Sequence, residues 1–260
     1  MFGWLRELQR RYNAIGGPTL AGGVTLYGFL ALFALLVLGV AILGFLSADN
    51  SHLAHDITAE LGLTGQAARI VTDSVTAAQK SRSLASVVGL VGILWLGTSF
   101  ALVVANAFDA AWRVSGRGLR DRAWGLVWLL GAAVLLGTAG LATACWNLLP
   151  TAFAPLVIVI SLAMNAALWM WTSWILPNRE VAWRILVLPA LLAAVALEVL
   201  KVAGAYIVPH YVERSSELYG TIGVVFAILL WLLVLGRVVV YLAVIEAWRA
   251  ERTEPAPILE

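Results

Sequence analysis

Four charged residues stand inside otherwise apolar stretches of this chain: Glu198 and Lys201 in one, Arg237 and Glu246 in the last. An ionised side chain surrounded by hydrocarbon is costly, so such groups usually hold a substrate, an ion or a neighbouring helix. Glu198 and Lys201 are three residues apart, which places them on one helical face and lets each partly neutralise the other. Counted from Ile185, Glu198 lies about 20 Å into its span and Lys201 about one turn farther, at the helical rise of 1.5 Å per residue. A lysine at that depth can snorkel; a glutamate hardly can. Arg237 falls in the inner half of its span, where its side chain can reach inward or toward Glu198. Glu246 lies nearer the edge, about 180° around the same helix. The chemistry within reach is recognition of a polar headgroup, with its anionic part near Lys201 or Arg237 and any cationic part near Glu198. Ion pairs that only hold helices together are an equal reading of the same charges. Glu246 and Asp109 sit near span ends, where Arg249 and Arg113 can compensate them. Asn106 and Asn165 suit interhelical hydrogen bonds, and Gly89, Gly92, Gly131, Gly137 and Gly140 suit close helix packing.

The elements that must position these groups follow from composition. Hydrophobic residues make up 62% of the 260 and charged residues 12%, and the mean hydropathy is +0.91. Values of this kind exclude an ordinary soluble domain. The length allows about six spans of roughly 20 residues each. Residues 1–19 form a polar, basic segment in which Phe2, Trp4, Leu5, Leu8 and Tyr12 mark an amphipathic helix lying on the membrane. A six-span domain then covers 20–248, with spans near 20–46, 84–108, 124–147, 153–176, 185–208 and 219–248. Short connections contain Pro150, Pro177 and Pro209, and a tail covers 249–260. Between the first two spans, 47–83 carries apolar residues at helical spacing on either side of Gly62 and Gly65, which predicts a small amphipathic helical hairpin outside the bilayer. The fold class expected is therefore all-α, with six transmembrane helices and this outer hairpin.

Charge sets the expected orientation. Arg6, Arg10 and Arg11, four arginines in 109–123, Arg179 and Arg184, and Arg249 and Arg252 fall on one side. Arg69, Lys80, Arg82 and Arg214 fall on the other. By the positive-inside rule both termini are cytoplasmic and the hairpin faces outward. Trp4, Trp112, Trp124, Trp174, Trp183 and Trp248 lie near the predicted inner boundaries, as an interfacial belt would.

Other chemistries find little support. His52, His55 and His210 are the only histidines, and the pair His52 and His55 beside Asp56 reads as a solvated polar face better than as a metal site. No Gly-x-x-x-x-Gly-Lys-Ser/Thr loop and no nucleophile with a histidine partner is present, so neither an enzyme nor a cofactor or metal is expected. The net charge of +2, without a dense basic face, makes nucleic acid a poor partner. Cys145, the lone cysteine, suits packing as a small hydrophobe.

A resemblance rests on particular residues. Glu198-Val199-Leu200-Lys201, Tyr206, Leu218-Tyr219-Gly220-Thr221-Ile222-Gly223-Val224-Val225, Leu230-Trp231-Leu232 and Glu246 follow one another in an order that resembles the YihY/BrkB family of bacterial inner-membrane proteins. Tyr27-Gly28-Phe29-Leu30-Ala31-Leu32-Phe33 and Ala105-Asn106-Ala107-Phe108-Asp109-Ala110-Ala111-Trp112-Arg113-Val114 look like the same family, so the similarity covers most of the chain. Ala34 departs from it, standing where members commonly have proline. The resemblance implies six transmembrane helices in the bacterial cytoplasmic membrane and movement of a lipid or another amphipathic envelope component. Members have also been labelled a tRNA-processing ribonuclease, which the residues above do not suit. Membrane lipids are the expected partners, together with a second copy or an envelope protein bound through the outer hairpin. A scaffold that organises envelope machinery is the competing function.

Overall fold

In a computed structural model, residues 3–46, 65–118, 120–146, 154–179, 181–219 and 221–253 are described. Among them every regular element is a helix: α1 (Gly3–Ala14), α2 (Gly17–Leu46), α3 (Gly65–Trp112), α4 (Arg120–Trp146), α5 (Ala154–Ile175), α6 (Trp183–Tyr219) and α7 (Thr221–Thr253). Five of these are long and apolar enough to cross a membrane: α2, α3, α5, α6 and α7. The remaining stretch expected to span, 124–147, falls on α4, which is helical as far as Trp146.

Two boundaries differ from expectation in the same way. The second arm of the expected hairpin is the start of α3, which runs unbroken for 48 residues, about 72 Å at the helical rise. The first arm, with His52 and His55, lies outside the described residues. Likewise α6 continues for 37 residues through Pro209 to Tyr219, so Pro209 is helical rather than part of a connection. A proline removes one backbone donor and crowds the preceding turn, and the helix accommodates this, as apolar-embedded helices often do.

The chain divides into two compact units, one of Met1–Phe29 with Thr98–Glu260 and one of Leu30–Gly97. In the second, α2 and α3 approach closely where Gly89 faces Leu38: a Cβ at Gly89 would lie 3.0 Å from the Leu38 backbone. One at Gly92 would lie 3.4 Å from the Ala34 methyl, and α2 is a continuous helix through Ala34.

In the larger unit, buried alanines such as Ala101, Ala107, Ala193 and Ala243 let the helices approach, and Phe108, Leu186 and Val240 fill the space between them. Large apolar side chains including Leu130, Val134, Val199 and Phe226 point outward. That inversion of the soluble pattern suits a bundle solvated by lipid, where small residues and hydrogen bonds hold helices together. Glycines admit aromatic rings: Gly131 faces Trp171 and Gly204 faces Trp231. Among the described residues Gly137 has nothing within 4 Å, so none of them packs on it.

Amphipathic α1 buries Leu8 and Tyr12 and docks on α7. The rings of Tyr12 and Tyr241 stack at 4.1 Å, and Arg11 Nη1 meets Glu251 Oε2 at 2.7 Å. The N-terminal helix and the end of the last helix thus share one end of this unit. Trp4, Trp124, Trp174 and Trp183 are exposed, whereas Trp112 is buried beneath the Arg179 guanidinium, 4.8 Å from the ring centroid. Trp112 therefore serves as core and stacking platform rather than as a bare belt residue.

Candidate functional site

Residues 176–179 bend after α5, and α6 starts at Trp183, so the two helices share a starting level and their depths match. Ser161 and Asn165 lie about 21 and 15 Å from the Ile175 end of α5, and Glu198 about 22 Å from the Trp183 end of α6. The four groups meet there. Lys201 Nζ donates to Glu198 Oε2 and to Ser161 Oγ, both at 2.7 Å. Ser161 Oγ and Asn165 Nδ2 each donate to Glu198 Oε2 at 2.9 Å. One carboxylate oxygen thus gathers three donors, two of them from the neighbouring helix. Charge-assisted bonds of this length are among the stronger ones available to a protein.

The cluster is not sealed. The side chain of Glu198 is 21% exposed and that of Lys201 56%, so the ammonium is paired on one side and open on the other. The expected proximity of Glu198 to Lys201 is present. The alternative partner, Arg237, is elsewhere: it is exposed on α7, has no ion pair among the described residues, and its charge acts on the Tyr12 phenol of α1. Its position around the α7 axis turns it away from the α5–α6 contact. Ser161 escaped sequence reasoning, although Ser161 and Asn165 at four-residue spacing on an apolar helix were the available signal.

Glu246 and Asp109 are solvated by other partners than the arginines expected. Glu246 is completely buried and accepts on Oε2 from Ser173 Oγ at 2.6 Å and Trp169 Nε1 at 3.3 Å. Its Oε1 has no partner among the described residues, and Arg249 makes no ion pair with it. Thus Glu246 is a polar tie between α7 and α5, about 10 Å inside the end of a helix that runs on to Thr253. Asp109, also buried, accepts the Asn178 backbone N–H at 2.8 Å and feels the charge of Arg117. Arg113 instead takes a left-handed backbone conformation, φ 56°, and is exposed. It ends α3 where a glycine would be usual.

Arg117 organises the same end. It donates to Asn178 Oδ1 at 3.1 Å and to the carbonyls of Ile175, Leu176 and Pro177, which satisfies acceptors left over at the end of α5. Asn106 is exposed, and among the described residues no partner is found for the interhelical bond expected of it. Tyr219 closes α6, and its side chain lies outside the described residues. Among those residues no group of three or more His, Cys, Asp or Glu side chains is gathered as a metal site would require.

A family model described as Virulence factor BrkB matches residues 8–258. The chain is 27% identical over 264 residues to a UPF0761 membrane protein of Ralstonia nicotianae, an alignment that covers 94% of this chain and 58% of that protein. It is 28% identical over 271 residues to a UPF0761 membrane protein of Chromohalobacter salexigens, covering 95% and 63%. With the inner membrane protein YhjD of Escherichia coli the identity is 23% over 240 residues, covering 82% and 71%. The chain therefore spans about three-fifths of the length of the first two relatives. No solved structure matches it.

Proposed function

Because this chain belongs to the Virulence factor BrkB family, a family of membrane proteins, we propose that it moves an amphipathic, lipid-like envelope component across the bacterial cytoplasmic membrane. The polar part of the substrate passes the step formed by Glu198, Lys201, Ser161 and Asn165 between α5 and α6, while its tails stay in the bilayer. In this reading the arginine-rich end that carries α1 and the end of α7 faces the cytoplasm.

The observation that supports transport is the 56% exposure of the Lys201 side chain at a depth where a purely cohesive ion pair would be closed off. An ammonium held in place by Glu198 and Ser161, with its other side open, is preset to meet an anionic headgroup. A second reading has its own support. The two bonds from α5 to Glu198 tie the helices together, as a membrane scaffold would need, and binding of a second copy or an envelope protein through the outer segment would then be the function. Reconstitution separates the two: vesicles containing the full chain should exchange headgroup-labelled lipid between leaflets faster than empty vesicles. Equal rates with correctly inserted, folded protein would remove transport.

A further inference from the structure

Two cavities share Trp174 in their lining. One, about 600 Å³, is lined by Arg117, Trp124, Trp174, Asn178 and Arg179. The other, about 380 Å³, is lined by Leu135, Ala167, Met170, Trp171, Trp174 and Trp183. The first is basic and aromatic; the second presents hydrocarbon and ring surface. Both lie in the larger unit, between α4, α5 and α6.

The basic cavity is held in shape by its own contacts. The Arg117 guanidinium lies 5.1 Å from the Trp124 ring centroid while its N–H groups hold the end of α5. The Arg179 guanidinium lies over Trp112. Both positive charges are thus oriented by stacking, which is favourable for a guanidinium on an indole. Arg120, Arg122 and Arg184 belong to the flanking helix starts, and the same stretches hold three carboxylates, Asp109, Asp121 and Glu180. A lining that contains both Arg117 and Arg179 suits an anion.

The apolar cavity decides which anion. Trp174 is 61% exposed and Trp183 62%, at helix ends where bare indoles sit at a membrane interface. A free phosphate would use only the basic cavity and leave the adjoining hydrocarbon wall without purpose. A phospholipid uses both. We propose that these two cavities, which have Trp174 in common, bind an anionic phospholipid, with its phosphate-bearing headgroup beside Arg179 and Arg117 and an acyl chain beyond Trp174 along Met170 and Trp171. The site lies about 22 Å along α6 from Glu198, so it holds whether or not the chain moves lipid.

The test uses delipidated full-length protein in nonionic detergent, offered phosphatidylglycerol, phosphatidylcholine or inorganic phosphate. Bound lipid per protein is read by native mass spectrometry, and melting temperature in parallel. The wild-type chain should retain phosphatidylglycerol about tenfold better than phosphatidylcholine, as expected for one charge-assisted contact. Arg179→Gln and Trp174→Ala should each lower that retention about fivefold or more. Arg237→Met, which removes a charge outside these cavities and outside the Glu198–Lys201 cluster, should leave it unchanged. Should Arg179→Gln fail to fold, Trp174→Ala and Arg179→Lys decide: lysine keeps the charge but not the planar stacking, and retention should fall between wild type and Trp174→Ala. Equal retention of both lipids, undiminished retention in folded Trp174→Ala, or thermal stabilisation by millimolar phosphate equal to that by phosphatidylglycerol would overturn the proposal.

Discussion

Gly236 is where a single methyl group should do most harm. It lies on α7 against α2, and a Cβ built there falls 2.7 Å from the Ala21 carbonyl oxygen and 3.0 Å from Thr25 Oγ1. Carbon and oxygen normally stay about 3.3 Å apart or more, so the helices would have to separate locally by about 0.6 Å. The Ala21 oxygen is backbone and cannot rotate away. Thr25 is already committed, since its hydroxyl donates to Ala21 O at 2.7 Å and lies 3.3 Å from Leu232 O across the helix contact. Overpacking of this kind costs about 1–3 kcal/mol, against a helix-propensity gain of about 0.5–1 kcal/mol for replacing glycine by alanine. At about 2–4 °C per kcal/mol for a chain of this size, the mid-range net cost of about 1.3 kcal/mol means that Gly236→Ala should lower the melting temperature in detergent by about 4 °C. The matched control is Gly137→Ala, which adds the same methyl to a helix at a position with no described residue within 4 Å and should leave the melting temperature unchanged or slightly higher. Equal shifts for the two variants, or a rise for Gly236→Ala, would refute the α2–α7 contact.

Three further outcomes follow from other parts of the molecule. Glu246→Leu strands the Ser173 hydroxyl and the Trp169 N–H and should destabilise by about 1–3 kcal/mol, whereas Glu246→Gln keeps an acceptor for both and should cost less; the order of the two melting temperatures checks it. The hydrogen bond from Arg11 holds the Glu7 carboxyl below its usual value of 4.5. A depressed carboxylate value stabilises the folded arrangement above the unfolded value and loses that contribution as pH falls through the folded one, so the Glu7–Arg11 tie within α1, which also holds the guanidinium that meets Glu251, should weaken only below about pH 4.5. Limited proteolysis after Arg10 or Arg11 across pH 3–7 would show protection that tracks this loss; protection lost already near neutrality would contradict it. In a variant lacking Cys145, cysteines placed in 47–83 should react with an impermeant reagent from outside the cell, and cysteines at Arg120 or Arg252 should not; the reverse pattern would invert the orientation.

Much of this was legible in the residues, for identifiable reasons. Length of apolar run announces a span whatever its neighbours do, so the helices fall where expected. The start of α3 and the end of α6 do not. The polar beginning of α3 and the segment around Pro209 keep helical periodicity beyond the apolar core, and a proline or a change of polarity looks like a stop although the helix continues. Glu198 and Lys201 were legible as a pair because both lie on one helix, where spacing alone fixes the angle between them. Arg237 was not, because its direction depends on how α7 is rotated against its neighbours. The same dependence separates Gly137 from Gly204 and Gly236: only the partner helix reveals which glycine is filled by a ring or a carbonyl. Glu246 looked interfacial because Arg249 follows closely, but it faces Ser173 and Trp169 inside the bundle.

The most direct measurement compares Glu198→Gln, Lys201→Met and Arg237→Met in one preparation, each assayed for leaflet exchange of headgroup-labelled lipid in vesicles and for melting temperature in detergent. Lys201→Met and Glu198→Gln should lower exchange about tenfold or more per folded protein, the loss expected when a charge-assisted headgroup contact is removed. Arg237→Met, outside the α5–α6 cluster, should retain most of it. Exchange that falls only in proportion to lost folding, or that survives intact in well-folded Lys201→Met, would contradict a headgroup path over Glu198 and Lys201 and leave these charges as the tie between two helices.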